Sequence, residues 1–166
     1  MYFECNKRTL IKYLNYAQDA FLLFPIEIFS YSIKQRKLYL KKLYIVDNGF
    51  IKVIKQEEES VFIELIRKTE DLSSISYWKE YGKKNGKEVD FVVLKNNIPV
   101  KLIQVTYASD KAGINKREIE AIVKASKELN CEDALIITWD CEGEIVEDGF
   151  AIKCMPIWKW LIIPQI

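Results

Sequence analysis

The sequence predicts an α/β domain with a mixed sheet, in the order helix, three strands, helix, strand, preceded by a small α+β annex. Two observations carry this prediction. Apolar residues recur at helical spacing in the segments 57–68 and 115–129, with a series of predicted strands between them. The apolar run 134–139 after the second helix is typical of a strand inside a sheet. We expect the annex to span residues 1–56 and the domain residues 57–166.

The annex prediction depends on short, interrupted patterns. Residues 9–23 carry apolar side chains on one helical stripe, with Thr9 as the expected N-cap. Residues 22–30, broken by Pro25, alternate in hydrophobicity, and residues 42–46 predict a buried strand closed by a turn at 47–49. The charged run 34–37 is expected at a solvated hairpin tip. The annex resembles the tail of a winged-helix unit.

The domain shows a more regular order of elements. A helix at its start should be followed by a hairpin, a third strand, a second helix and a buried strand, then an edge hairpin and a short last helix that Pro156 begins. The expected bounds are 57–68 for the first helix, 76–81 and 87–94 for the hairpin strands, 98–107 for the third strand after a tip at 96–97, 115–129 for the second helix, 134–139 for the buried strand, 144–154 for the edge hairpin and 157–162 for the last helix.

Composition excludes several classes of function. The chain has 166 residues, 49% of them hydrophobic, which suits one compact domain with a sizeable core. A net charge of +1 gives no global basic field. Because the chain has no histidine, Ser-His-Asp and Cys-His catalysis are excluded, and four cysteines without CxxC spacing make a poor zinc set. These cysteines are expected to be buried free thiols.

Targeting and nucleotide-binding signals also narrow the prediction. The sequence shows no signal peptide, and its apolar run 21–29 is too short to span a bilayer, so we expect a cytoplasmic protein without membrane contact. None of its six glycines forms a phosphate-binding loop, so no ATP site is expected.

A pattern of acidic and polar residues runs through the predicted core. Glu64 lies on the first helix, Glu88 and Asp90 lie on one face of the second strand, and Gln104 and Thr106 share a face of the third. This order resembles a PD-(D/E)xK nuclease core, a restriction-endonuclease-like αβββαβ fold, in which the last acid and the lysine have become Gln104 and Thr106. The resemblance implies a degenerate catalytic site.

In an active nuclease of this kind, the resemblance implies that the acidic residues bind a divalent metal ion. Glu64, Asp90 and the Gln104 carbonyl would hold Mg²⁺ or Mn²⁺, with Glu88 as a further carboxylate. Loss of one preorganised charged group commonly costs about 100-fold to 1000-fold in rate, so Thr106 at the lysine position argues against activity. Residues that would supply a displaced cation or contact DNA phosphates are Lys83, Lys84, Lys111, Lys116 and Arg117.

An ordered set of segments extends the resemblance over nearly the whole chain. Residues 9–14, 42–49, 86–92, 102–107 and 156–161 resemble the C-terminal domain of unknown function in many archaeal and bacterial AAA-type P-loop ATPases. In that family the nuclease-like domain follows an ATPase and a winged helix, which implies an accessory or DNA-linked role. Since Met1 would fall within the winged helix, we expect a truncated or stand-alone derivative.

Three hypotheses therefore compete. The leading one is a catalytically degenerate nuclease-like module that binds DNA or a protein, such as an ATPase or winged-helix protein acting in trans. The second is an active Mg²⁺-dependent DNA endonuclease with a displaced lysine, and the third is a purely structural interaction module. Homodimerisation through residues 1–50 is expected in addition, because the annex lacks its usual neighbour.

Overall fold

The structure is a computed structural model that describes residues 6–46, 56–69, 71–80, 82 and 86–163. Within these residues the chain forms five α-helices, a short 3-10 helix at Leu72–Ser74 and eight strands. The helices are α1 Lys7–Asp19, α2 Ile33–Leu38, α3 Gln56–Thr69, α4 Lys116–Leu129 and α5 Ile157–Ile162. The strands are β1 Leu23–Ile26, β2 Lys42–Ile45, β3 Ile75–Lys79, β4 Glu88–Lys95, β5 Ile98–Val105, β6 Ala134–Thr138, β7 Gly143–Glu147 and β8 Phe150–Pro156.

A six-stranded mixed sheet organises the domain, in the order β3-β4-β5-β6-β8-β7. Strands β3, β4 and β5 pair antiparallel, β6 pairs parallel with both β5 and β8, and β7 closes the far edge antiparallel to β8. The predicted α/β class and the order of helix, three strands, helix, strand are confirmed. The annex contributes a separate antiparallel pair, β1 with β2.

The tight turn between β4 and β5 lies at Asn96 and Asn97, as the sequence predicts. Both residues have positive φ angles, 54° and 63°. Asparagine tolerates this left-handed conformation better than most residues, and two such residues in succession match the twist of a hairpin. The turn pairs the ends of β4 and β5, and a one-residue shift in register between Val93 and Leu94 then places Gln104 opposite Asp90, so the turn and this bulge together decide which polar residues meet.

Two hydrophobic clusters cover the two faces of the sheet. One contains Ile122 of α4 with Leu102 and Ile136, and the other contains Phe62 of α3 with Ile103. Neighbouring residues of a strand point to opposite faces, which explains why Leu102 and Ile103 belong to different clusters. Helices α3 and α4 therefore pack on opposite faces, and the annex packs mainly on the α3 side, with Phe29 on the α4 side.

The annex runs along the free edge of β3. The Phe29 N–H donates to the Tyr77 carbonyl at 2.7 Å, and the Tyr77 N–H donates to the Glu27 carbonyl at 3.1 Å. Tyr77 packs in the cluster that includes annex residues Ile26 and Ile28, while Trp78 is buried in the α4 cluster, so these neighbours lie on opposite faces of the sheet. These bonds cover an edge that would otherwise expose unpaired backbone groups.

The predicted hairpin tip at 34–37 is wrong, because these residues form the middle of α2. Straight-chain lysine, glutamine and arginine favour a helix, and the segment contains no glycine or asparagine to make a turn. The start of α2 is fixed locally, since Ser30 Oγ accepts from the Ser32 N–H at 3.1 Å and donates to Gln35 at 2.7 Å.

Several predicted boundaries need smaller corrections. Helix α1 is capped by Asn6 rather than Thr9, and it ends at Asp19 rather than near residue 23, because Phe21 is in the left-handed region at φ 57°. Pro156 ends β8 and caps α5 rather than occupying its first turn. Of the two strands in the predicted edge hairpin, only β7 lies at an edge of the six-stranded sheet, since β8 lies between β6 and β7. The predicted turn at 47–49 lies outside the described residues.

Three cysteines are free and buried, as predicted: Cys131, Cys141 and Cys154. Burial raises the pKa of Cys154 to about 11, which favours the inert thiol over the thiolate. Among the described residues, no helix combines the length and the apolar character needed to cross a membrane.

Candidate functional site

Asp90 and Gln104 meet where the start of β4 lies beside the end of β5. The Gln104 side-chain amide donates to Asp90 Oδ2 at 2.6 Å, and the Val105 N–H donates to the same oxygen at 3.1 Å. Both side chains are buried, with 6% and 7% of their surfaces exposed. The structure thus brings this predicted pair together, and one Asp90 oxygen is fully engaged by the neighbouring strand.

The other Asp90 oxygen is engaged by Lys42 of the annex strand β2. The Lys42 Nζ lies 3.0 Å from Asp90 Oδ1, 2.8 Å from Glu88 Oε1 and 3.4 Å from Glu58 Oε1. We call Lys42, Glu58, Glu88 and Asp90 the Lys42 cluster. Its lysine side chain is only 18% exposed, so the ammonium lies inside the site.

Electrostatics hold the Lys42 ammonium in its charged form. Burial acts to lower the pKa of Lys42, but the carboxylates of Asp90, Glu58 and Glu88 outweigh it and raise the pKa above its ordinary value. Burial likewise acts to raise the pKa of Glu88, yet Lys42 and Lys79 lower it overall. For Asp90, burial prevails and raises the pKa, against the effect of Lys42. The cluster is therefore a largely buried set in which one ammonium is shared by three carboxyl groups.

Tyr44 fixes the position of β2 above the site. Its hydroxyl donates a hydrogen bond to Glu58, and its ring stacks on Phe62 with centroids 4.4 Å apart and lies 5.4 Å from the Phe91 ring. Burial, followed by the charge of Glu58, raises the pKa of Tyr44, so the phenol stays protonated as a donor. Because side chains alternate along a strand, Lys42 and Tyr44 face the same side of β2.

Glu64, the helix acid expected at the site, lies elsewhere. It is six residues beyond Glu58 on α3, which is about 9 Å along the helix axis. It pairs with Arg67 at 3.6 Å and with Lys68 at 3.8 Å. Glu64 therefore does not lie beside Asp90, as the sequence predicts it should. The helix carboxylate near Asp90 is Glu58, in the first turn of α3, which shares the Lys42 ammonium with Asp90.

Thr106 and Glu118 line a cleft of about 250 Å³ next to Asp90 and Gln104. The Thr106 hydroxyl donates to the Glu118 carboxylate. Burial raises the pKa of Glu118, opposed by that hydrogen bond and reinforced by Asp90. Two buried acceptors, Gln104 Oε1 and Glu118 Oε2, have no hydrogen-bond partner among the described residues. Thr106 therefore occupies the lysine position of the resemblance without supplying a cation there.

The other basic residues predicted at the site are spread around it. Arg117 lines a second cleft with Glu88, Asp90 and Gln104, and its Nη2 donates to the Gly86 carbonyl at 3.0 Å. Lys111 instead donates to the Glu144 carbonyl at 3.0 Å. Lys116 lines a separate hollow with Glu120 and Asp148. The predicted phosphate contacts Lys83 and Lys84 lie outside the described residues.

A divalent metal does not fit the Lys42 cluster as it stands. Both Asp90 oxygens are occupied by donors, and the Lys42 ammonium lies where a cation would contact Asp90, Glu58 and Glu88 together. In the part of the chain that the structure describes, no group of three or more His, Cys, Asp or Glu side chains forms a metal site. The metal set expected from the sequence, Glu64, Glu88 and Asp90, is accordingly not assembled.

Sequence reasoning missed Lys42, Tyr44, Glu58 and Glu118. The Glu57–Glu59 run is typical of a helix N-terminus, so it gave no indication of a site. The alternation of Lys42 and Tyr44 on β2 was a usable signal, because a lysine facing inward next to a buried tyrosine requires an acidic partner. The identity of that partner depended on how the annex packs on α3.

Comparisons with known proteins add one relative. No family model matches the chain, and no solved structure matches it. An uncharacterized protein of Methanocaldococcus jannaschii is 32% identical over 174 residues, which cover 95% of this chain and 37% of that protein. The chain thus spans little more than a third of the length of this relative.

Proposed function

We propose that this chain is a catalytically degenerate nuclease-like domain that acts as an accessory binding module rather than as a hydrolase. The observation that carries the proposal is the Lys42 ammonium, which lies 2.8 to 3.4 Å from Glu88, Asp90 and Glu58. A catalytic metal requires free carboxylate oxygens and open positions for water and substrate. In the Lys42 cluster both Asp90 oxygens already accept from donors, and the Lys42 ammonium holds the position at which a cation would contact all three carboxyl groups.

The element order supports a restriction-endonuclease-like core. Helix α3, the antiparallel strands β3 to β5, helix α4 and the parallel strand β6 follow the αβββαβ order that the resemblance implies. Asp90 on β4 and Gln104 on β5 meet as the paired positions of such a core would. The support for a restriction-endonuclease-like core therefore comes from the order of elements and from the contact between Asp90 and Gln104.

An accessory role fits the relation to a longer protein. The relative from Methanocaldococcus jannaschii is matched over 37% of its length, so such a domain occurs there as a part of a longer chain. Together with the resemblance to ATPase C-terminal domains, this supports a module that works with an ATPase or winged-helix protein. A homodimer through residues 1–50 stays a prediction.

One observation favours a second function, an active DNA endonuclease. Lys42 lies 3.0 Å from Asp90, although it belongs to the annex strand rather than to β5. A positioned lysine beside an acid is the charge that Thr106 fails to supply, so Lys42 would be the displaced lysine. The unpaired acceptors of Gln104 and Glu118 would then face the reacting groups.

A cleavage assay separates the two functions. Duplex, branched and single-stranded DNA are incubated with wild type, Asp90→Ala and Lys42→Met in the presence of Mg²⁺ or Mn²⁺. We expect no cleavage by any of the three proteins. Cleavage by wild type that is lost in both variants would overturn the proposal and assign Lys42 as the displaced lysine.

A further inference from the structure

Charge is divided unevenly between the annex and the sheet domain. Residues 1–56 contain ten Lys and Arg against four Asp and Glu, a net charge of +6. Residues 57–166 contain fifteen Lys and Arg against twenty Asp and Glu, a net charge of −5. The overall charge of +1 hides this asymmetry. A polyanion would therefore meet the annex in preference to the sheet domain.

Five exposed cations of the annex lack an acidic partner among the residues that the structure describes. They are Lys7, Arg8, Lys12, Lys34 and Lys37. In the sheet domain, by contrast, many lysines are neutralised by nearby carboxylates, including Lys79 by Glu88 and Lys87 by Glu120. The annex cations are thus available for an external anion, whereas much of the positive charge of the sheet domain is not.

Aromatic rings lie among these cations on α1. Arg8, Lys12 and Tyr16 follow one another at four-residue spacing and so form one stripe along the helix. The Lys12 ammonium lies 5.6 Å from the centre of the Tyr16 ring. Tyr16 and the neighbouring Tyr13 are 54% and 63% exposed, with ring centroids 6.5 Å apart. This combination places phosphate-binding charge beside open stacking surfaces.

The second annex helix repeats the pattern. Lys34 and Lys37, three residues apart, lie on one side of α2, and Tyr31 just before the helix is 71% exposed. A second copy of this chain would bring the same five exposed cations against each other, which disfavours self-association through this face. A duplex would bury the base faces that exposed tyrosines can contact, whereas a single strand leaves them open.

We propose that the annex surface formed by α1, α2 and their exposed tyrosines binds single-stranded nucleic acid. The five cations contact phosphates, and Tyr13, Tyr16 and Tyr31 stack on bases. This inference deepens the proposed accessory role by naming its ligand, and it uses none of the residues of the Lys42 cluster.

The test is fluorescence anisotropy of a labelled oligothymidine of about 20 nucleotides, with EDTA present, over salt concentrations from about 50 to 200 mM. Wild type should bind, with log K falling against log salt by about 0.7 for each phosphate neutralised. The variants Arg8→Gln/Lys12→Gln and Lys34→Gln/Lys37→Gln should each reduce that slope by about 1.4 and weaken binding. Tyr13→Ala/Tyr16→Ala should weaken binding about tenfold with the slope unchanged.

The matched control is Lys95→Gln/Lys153→Gln, which removes two exposed charges from the sheet domain. It should bind as wild type does, within about twofold. Absence of binding at low salt, equal loss in this control, or tighter binding of a duplex of the same length would overturn the proposal. Two further results would also overturn the proposal. One is an annex variant that dissociates a dimer without weakening oligonucleotide binding, and the other is binding to phosphatidylserine vesicles but not to the oligonucleotide.

Because EDTA prevents metal-dependent cleavage, the binding assay tests the annex surface independently of the cleavage assay.

Discussion

At the scale of single residues, Lys42 decides the charge of the candidate site. Its ammonium is shared by three carboxylates that lie on two different elements, Glu58 on α3 and Glu88 and Asp90 on β4. A buried pair of this kind adds little net stability compared with an apolar core, but removing one partner leaves charge buried and unpaired. The functional consequence is a site whose cation is a side chain of the protein.

Replacing this lysine should be strongly destabilising. Lys42→Met leaves the three carboxylates without their cation, and we expect the free energy of unfolding near neutral pH to fall by about 3 kcal/mol. Burial acts to raise the pKa of Glu88, but Lys42 lowers it overall. The pairing of Glu88 with Lys42 therefore stabilises the fold at pH values above the ordinary pKa of a glutamate, and this stabilisation is lost as the pH falls and Glu88 is protonated. The difference in unfolding free energy between Lys42→Met and wild type should therefore become smaller in acid. Urea unfolding across pH measures both effects.

The control for that variant is Lys95→Met, at an exposed position of β4. It should change the free energy of unfolding by less than about 0.5 kcal/mol at any pH. Equal stability of Lys42→Met and wild type near neutral pH would contradict the role given to the Lys42 cluster.

Glu118 should show the opposite pH dependence. Burial, with help from Asp90, raises the pKa of Glu118 despite the hydrogen bond from Thr106. A carboxyl whose folded pKa exceeds its unfolded value costs stability once the pH rises above the unfolded value. Glu118→Gln should therefore melt at a higher temperature than wild type near neutral pH and at the same temperature in acid. Glu132→Gln, at an exposed position, should match wild type throughout, and a lower melting temperature for Glu118→Gln near neutral pH would count against this explanation.

The sequence predicted part of this residue set for a physical reason. Glu88 and Asp90 lie on β4 beside Gln104 on β5, so alternation and the hairpin bring these strands together. The exact pairing of Gln104 with Asp90 also needs the one-residue shift between Val93 and Leu94, which the sequence does not predict. Lys42 reaches Asp90 from 48 residues away, and only the packing of the annex fixes that approach. Long-range contacts between separate units leave no periodic signal in the sequence.

At the scale of elements, α3 illustrates how a correct helix still gave a wrong site residue. The predicted segment 57–68 lies within Gln56–Thr69, so periodicity identified the helix. Which of its acids faces β4 depends on the position of the helix along the sheet, and the structure selects Glu58 rather than Glu64. The two residues are six apart, which is about 1.7 turns, so they lie on different faces of the helix. Glu58 continues the buried stripe of Phe62 and Leu65 that packs on the sheet, whereas Glu64 does not.

The end of α3 anchors α5 through Lys68. Its ammonium donates to the carbonyls of Trp160 and Ile163, both at 3.0 Å, and lies 4.2 Å from the centre of the Trp160 ring. Lys68→Met removes the donor from two carbonyls near the end of α5, so the free energy of unfolding should fall by about 2 kcal/mol. Urea unfolding followed by tryptophan fluorescence provides the measurement.

Arg67→Met is the matched control on the same turn of α3. Arg67 is 74% exposed and only 3.6 Å from Glu64, and an exposed pair of this kind contributes about 0.5 kcal/mol or less. If Arg67→Met proved as destabilising as Lys68→Met, the anchoring of α5 by Lys68 would be refuted.

At the scale of the whole molecule, the annex shares its hydrophobic packing with the sheet domain. Ile28 and Tyr44 of the annex pack in the same cluster as Phe62, and Phe29 packs in the other cluster with Trp78. The sequence predicts a boundary at residue 56 from a change in pattern, but it does not show this common packing. Nor does the overall charge of +1 show that the two units have opposite charges.

A shared core predicts a single unfolding transition. All four tryptophans lie in residues 78–160, so their fluorescence reports the sheet domain, whereas far-UV circular dichroism also reports the annex helices. Thermal curves from the two signals should coincide. A loss of helical signal well before the fluorescence change would mean that the annex unfolds on its own and that the Lys42 cluster opens with it.

The most direct test of the central claim is a calorimetric titration of Mn²⁺ into the wild-type protein, with Asp90→Ala as the comparison. We predict no saturable binding to either protein, because the Lys42 ammonium and the donors on Asp90 occupy the positions that a metal needs. Saturable binding to wild type that disappears in Asp90→Ala would contradict the account, since it would show that a metal displaces Lys42 and that the site can still hold one.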